Sequence, residues 1–252
     1  MHLHTERLGA GRPRLVLVHG FTQTGRSWSA IADDLTRDHE VVLVDAPGHG
    51  GSSQACGDLP SSAHALGEAG GDAVYVGYSM GGRLCLQLAL DEPDRVLGLV
   101  LLGATAGIVD AGERAARRAA DEALAADLER DGLEVFLERW LALPLFAGLS
   151  PDAAGLDDRR RNSVAGLAAS LRLAGTGSQA DLWGRLGRLD APVLVLAGER
   201  DAKFTGIGRE LAATIGEDGR FEAVPGAGHA AHLEQPAAFL EVLRRWLTDR
   251  GW

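Results

Sequence analysis

Short apolar runs recur along the chain, most of them closed by glycine or a polar residue. Arg14-Leu-Val-Leu-Val-His19 ends at Gly20, and Val41-Val-Leu-Val-Asp45 runs into Ala46-Pro47-Gly48. Similar runs follow at Val74–Gly77, Val96–Leu102, Pro192–Gly198 and Phe221–Val224. The continuous Val/Leu runs show no alternation of apolar with polar, which is the pattern of strands covered on both faces, as in a parallel sheet. Between the runs the apolar spacing turns helical: Trp28, Ile31, Ala32 and Leu35, then Leu84, Leu86, Leu88, Ala89 and Leu90. A last helix is expected from Pro236 to Leu247, its proline placed where a missing N–H costs nothing. Strands alternating with helices predict an α/β fold with a mostly parallel sheet flanked by helices.

The rhythm breaks between Leu102 and Pro192. Helical periodicity covers Glu113 to Arg130, Leu133 to Leu141 and Arg159 to Leu173, with breaks at Asp131-Gly132 and Pro144. A helical block inserted between two sheet strands should cap the carboxyl ends of the strands, where open α/β sheets bind ligands. The expected organisation is a core in two parts, residues 1–105 and 188–252, and a helical cap at 106–187.

Composition narrows the function classes. The chain has 252 residues, 46% hydrophobic and 24% charged, as expected of a globular protein with a substantial core. No apolar run reaches the ~18 residues of a membrane span, and the N-terminus lacks a signal-peptide apolar segment, so a cytoplasmic protein is expected. Cys56 in a polar loop and Cys85 in a helix give no support for a disulfide and do not resemble metal ligands. The net charge of −10 argues against nucleic acid or an anionic membrane as partner. A small-molecule substrate and a monomer or small homo-oligomer are expected.

The chemistry centres on Val74-Tyr-Val-Gly77-Tyr78-Ser79-Met80-Gly81-Gly82. A strand entering a helix through Gly-x-Ser-x-Gly is the setting of a nucleophile elbow, although alone the motif reads equally well as a Gly-Ser turn. Partners decide. In folds with this elbow, the acid and then the histidine follow the serine. Asp201 comes three residues after the strand ending at Gly198, and His229 follows the strand at Phe221–Val224. Asp201 also reads as a turn residue capping a helix that begins near Thr205, with Glu199 a competitor for the acid role. His232 competes with His229, which is preferred because Gly226 and Gly228 free its loop. The backbone N–H groups of Met80 and Phe21 would form an oxyanion hole, and His19 would shape the Phe21 loop.

Together, His19-Gly-Phe21, Asp45-Ala-Pro-Gly-His-Gly-Gly-Ser52, Gly77-Tyr-Ser-Met-Gly-Gly82, Gly198-Glu-Arg-Asp201 and Gly228-His229 resemble the α/β-hydrolase superfamily over almost the whole chain. Arg83 and the cap residues Gly107-Ile, Glu113-Arg-Ala-Ala-Arg-Arg118, Asp121, Phe136, Trp140, Pro144-Leu-Phe146, Arg161-Asn162, Gly175-Thr-Gly-Ser-Gln179 and Leu182-Trp183 narrow it. They are similar to the 2-succinyl-6-hydroxy-2,4-cyclohexadiene-1-carboxylate synthases of menaquinone biosynthesis. That resemblance implies a lyase that eliminates pyruvate from an enolpyruvyl cyclohexene bearing three carboxylates. It further implies a Ser-His-Asp base and no metal or organic cofactor. Arg83, Arg117 and Arg161 would bind carboxylates, with Tyr78, Trp140 and Phe146 lining the pocket. The stretch from Gly50 to Asp72 looks short against the family, so a stunted helix is expected before the elbow strand.

Arginine suits this task unaided, because its planar guanidinium grips a carboxylate bidentately. A plainer reading pairs Glu113 with Arg117 at i,i+4 on a surface helix. Lys203, the only lysine, lies two residues after Asp201 and reads as a rim residue or a solvated loop residue. Two rivals remain at this point. One is a carboxylester or carbon–carbon bond hydrolase with an acyl-serine; the other is a non-catalytic ligand receptor on the same scaffold.

Overall fold

The computed structural model describes all 252 residues, and the continuous apolar runs become a seven-stranded sheet. Its strands are β1 (Thr5–Leu8), β2 (Leu15–Val18), β3 (Val41–Val44), β4 (Ala73–Tyr78), β5 (Val96–Leu102), β6 (Val193–Gly198) and β7 (Gly219–Val224). The order is β1-β3-β2-β4-β5-β6-β7, and every neighbouring pair from β3 to β7 is parallel. Only β1 runs antiparallel, pairing Thr5 with Val44 and Leu8 with Val41. The apolar pattern misses this strand because it is a half-exposed edge reading Thr-Glu-Arg-Leu, which buries no continuous run.

Both faces of the sheet are covered, so successive residues enter opposite cores. Val16, Val18, Val42, Val44, Leu99 and Leu101 pack in one cluster. Leu15, Leu17, Val41, Leu43, Val100 and Leu102 pack in the other. Helices α2 (Leu59–Gly70), α3 (Met80–Asp91) and α8 (Ala202–Ile215) supply the first face; α1 (Ser29–Leu35) and α10 (Pro236–Asp249) supply the second. Fully burying one such Leu or Val is worth about 1.5–3 kcal/mol, so the pattern fixes the register strand by strand.

The helix before the elbow strand is not stunted. α2 has 12 residues, started by the Asp58 carboxylate accepting from the Ser61 N–H at 3.0 Å and ended at Gly71, whose φ is 68°. Its Ala, Ser and Gly side chains weaken the helical signal in the sequence but let it lie close against α3.

Between β5 and β6 the chain forms only helices and turns. α4 (Ala111–Leu141) bends at Gly132, where φ 80° and ψ 170° interrupt the helix at the predicted Asp131-Gly132 break. After it come α5 (Pro151–Ala154), α6 (Leu156–Arg159) and α7 (Val164–Ala174). α4 and α7 share a small core of Ala125, Leu128, Phe136, Leu167, Ala168 and Leu171, separate from the two sheet cores. A short helix α9 (Ala231–Glu234) precedes α10. No helix is long and apolar enough to cross a membrane, and Cys56 and Cys85 are both free.

Candidate active site

Ser79 stands alone between β4 and α3 with φ 51° and ψ −106°, a conformation rare for a side chain with a Cβ. The turn is tight because its glycines bring backbones into contact. A Cβ on Gly77 would lie 2.5 Å from the Gly81 carbonyl oxygen, and one on Gly81 would lie 2.2 Å from that of Val18. No larger residue fits either position.

Two loops at the same rim bring in the partners. His229 Nδ1 lies 2.8 Å from Asp201 Oδ2, and its Nε2 lies 3.3 Å from Ser79 Oγ. Burial pushes the Asp201 carboxyl up, but hydrogen bonds from His229 and from the Phe204 N–H outweigh it and hold the group below its ordinary value. An ionised carboxylate only accepts, so the proton sits on Nδ1 and the Nε2 lone pair faces the serine hydroxyl. Asp201 also caps α8 through Oδ1, which accepts from Phe204 N at 3.1 Å, so one carboxylate makes both the cap and the His229 contact. Glu199 is elsewhere: it accepts from Gly226 N at 2.9 Å on the exposed side of the loop.

The His229 loop is held by Glu234, which sequence reasoning overlooked. Its two oxygens accept from Gly228 N at 2.7 Å and Ala230 N at 3.1 Å, on either side of the histidine. His232 is no competitor. It is buried 4.1 Å from the Trp28 ring centroid and 4.6 Å from that of Tyr78, with both ring nitrogens unpartnered, and burial lowers its pKa to about 3.

Phe21 and Met80 flank the serine, and neither backbone N–H is used in a turn or cap hydrogen bond. His19 shapes this loop. Its Nε2 accepts from Ala46 N at 2.9 Å, which leaves the proton on Nδ1 to donate to Gly20 O at 2.8 Å. Burial lowers the His19 pKa to about 4, so it stays neutral.

A cleft opens above Ser79 between sheet and cap. Tyr78, Trp140, Phe146, Phe21, Leu171 and Phe204 give it apolar walls. The buried Trp140 indole N–H has no partner in the chain, leaving a donor in that wall. Arg83, Arg117, Arg159 and Lys203 line the same space. Arg83 is 7% exposed and donates to Ala174 O at 2.9 Å and Gln179 Oε1 at 3.3 Å, with no carboxylate in salt-bridge range. Burial, with the nearby Arg117 charge, lowers its pKa to about 10, so it remains cationic at neutral pH. Arg117 pairs with Asp121 at 2.7 Å and not with Glu113, so the surface-pair reading fails.

Arg161 requires a correction. It is half exposed, lies outside this cleft and borders a separate crevice with Thr24, Arg26 and Asp45. Arg159 occupies the cleft wall in its place, 2% exposed, donating to Ala154 O at 2.7 Å and to Thr22 Oγ1. The reason is helical geometry: two residues along a helical turn point to nearly opposite sides, and three consecutive arginines leave the sequence without a phase. Asp158 and Asn162 of the same segment bond the Phe21 loop through Thr24 and Thr22, contacts with no sequence signature.

Residues 15–242 match the α/β hydrolase family. A Bacillus subtilis relative, provisionally named 2-succinyl-6-hydroxy-2,4-cyclohexadiene-1-carboxylate synthase, is 37% identical over 93% of this chain and 90% of its own length. The Klebsiella pneumoniae protein given that name outright is 34% identical over 95% of both chains. Among solved structures, MenH from S. aureus superposes with a TM-score of 0.92 at 29% identity, covering 99% of each chain. A malate-bound esterase from Thermogutta terrifontis reaches 0.85 at 27% identity, covering 98% of this chain and 93% of its own.

Proposed function

This chain belongs to the α/β-hydrolase family and to its 2-succinyl-6-hydroxy-2,4-cyclohexadiene-1-carboxylate synthases, and we propose that Ser79, His229 and Asp201 drive the elimination they catalyse. The substrate is 2-succinyl-5-enolpyruvyl-6-hydroxy-3-cyclohexene-1-carboxylate. His229, oriented by Asp201, takes the Ser79 proton as the serine oxygen removes a ring proton. The C–H electron pair enters the conjugated system and places negative charge on the succinyl carbonyl oxygen. The Phe21 and Met80 N–H groups receive that charge. When it returns, a ring double bond forms and the C–O bond to the enolpyruvyl group breaks. The departing enolate takes the proton held by His229 and becomes pyruvate. The step is redox-neutral, and its base can be supplied entirely by this chain.

One observation carries the reading: three guanidiniums face the cleft above Ser79, and Arg83 and Arg159 are buried without a carboxylate partner. An unpaired buried cation is costly and calls for an anionic ligand. Three arginines suit a tricarboxylate, while a neutral ester would leave two of them uncompensated. Tyr78, Trp140 and Phe146 pack against the ring. Arg159 takes the role expected of Arg161.

The test supplies the enolpyruvyl precursor and, in parallel, a panel of p-nitrophenyl esters, following pyruvate and nitrophenol. Pyruvate release far exceeding ester turnover is expected. Rapid ester turnover with no pyruvate would sink the proposal in favour of the acyl-serine hydrolase; ligand binding with neither product would favour a receptor.

A further inference from the structure

Resting on the oxyanion role just given to the Phe21 N–H, we infer that Asn162, a cap residue, is a positioning residue that holds the oxyanion loop in its working conformation.

Three successive peptide groups of the loop are each tied down. In the Gly20–Phe21 peptide, the carbonyl accepts from His19 Nδ1 at 2.8 Å and Gln23 N at 3.2 Å. A trans peptide is planar, so anchoring its C=O aims the opposite Phe21 N–H away from those anchors. In the next peptide, Thr22 N donates to His49 Nε2 at 3.3 Å. In the third, Thr22 O accepts from Asn162 Nδ2 at 2.7 Å. The first tie lies within the loop itself and the second comes from the loop after β3; Asn162 reaches in from the helical insertion.

The third tie matters because Thr22 is a buried, β-branched residue at φ 69°. Such a residue leaves the left-handed region unless its surroundings over-determine it. Arg159 on Oγ1 and Asn162 on the carbonyl are those surroundings. Asn162 is built for this. It is 6% exposed, its second N–H donates to Arg159 O at 2.9 Å, and its Oδ1 accepts from Gly50 N at 2.9 Å. Flipping the amide would set N–H against N–H and C=O against C=O, so the orientation is fixed by its partners. Without the tie, Thr22 relaxes and the Phe21 N–H swings from the developing oxyanion.

The experiment compares wild type with Asn162→Ala and Asn162→Asp. Asn162→Asp keeps the acceptor for Gly50 N–H and the side-chain size, so it remains informative where Asn162→Ala folds poorly. Three readouts are taken: pyruvate release, p-nitrophenyl acetate hydrolysis, and inhibition by phenylboronic acid, whose tetrahedral serine adduct occupies the oxyanion hole. Both kcat values should fall about 10- to 100-fold, short of the ~10²–10³ for outright loss of a donor, with KM within about 3-fold. The boronate Ki should rise by the same factor with binding stoichiometry unchanged. A purely structural role would lower the number of binding sites and leave Ki alone. Ki within about 3-fold of wild type, or a kcat loss that tracks the folded fraction, overturns the inference. A wild type that hydrolyses ester but releases no pyruvate refutes the proposed reaction only, because the ester and boronate arms still decide Asn162. A wild type inert to all three probes overturns both.

Discussion

Replacing Arg83 with methionine should separate stability from function. In the folded protein burial lowers its pKa to about 10, which corresponds to roughly 3 kcal/mol against the charged form. Methionine removes that cost and fills much of the same volume. It also removes the hydrogen bonds to Ala174 O and Gln179 Oε1, each worth about 0.5–1.5 kcal/mol net, with more if an acceptor is stranded. The opposing terms nearly cancel, so the unfolding free energy of Arg83→Met should stay within about 2 kcal/mol of wild type. Substrate binding has no such compensation. A charge-assisted bond to a carboxylate is worth roughly 1.5–3 kcal/mol, so kcat/KM for pyruvate release should fall about 10- to 150-fold. Pyruvate is followed by coupled NADH oxidation, stability by urea unfolding, and p-nitrophenyl acetate hydrolysis serves as the neutral control, expected to change less than about 3-fold. A stability loss well above 2 kcal/mol with parallel losses in both reactions would refute the reasoning and make Arg83 a fold residue.

Other outcomes follow from the same geometry. Arg159→Ala should lower kcat/KM for pyruvate release by about 10-fold or more, whereas Arg161→Ala, outside the cleft, should stay within about 3-fold; equal losses in steady-state assays would reverse the assignment. Ser79→Ala should reduce pyruvate release by at least about 10⁴-fold while the fold persists by circular dichroism, and a smaller loss would mean that His229 acts on substrate directly. Burial lowers the pKa values of His19, His49 and His232 to about 4, 3 and 3. The unfolded chain therefore binds more protons below about pH 6.5, and stability should fall from there towards pH 4, by up to about 2 kcal/mol per histidine near pH 5. Thermal melts across that range check this, and His232→Phe, which removes an imidazole with no hydrogen bonds, should flatten the decline; an unchanged slope would argue against His232 as a contributor.

The fold is legible in the sequence where burial is two-sided. β2 to β6 read as apolar runs because both faces meet helices, and the cap reads as helical periodicity between β5 and β6. Half-buried β1 and the small-residue helix α2 read poorly, because neither needs a strong hydrophobic pattern to hold its place.

For the site, the sequence by itself determined a strand–turn–helix around Ser79 that only glycines at 77 and 81 permit, and the chain order Ser79, Asp201, His229. Those are properties of local backbone and linear spacing. Only tertiary structure decided which arginine of Arg159-Arg-Arg161 enters the cleft, that Glu234 holds the histidine loop, and that Asn162 reaches the Phe21 loop 140 residues away in sequence. A helix-surface phase and a hydrogen bond across a long separation depend on how packed elements are rotated against one another, and no spacing along one segment records that rotation.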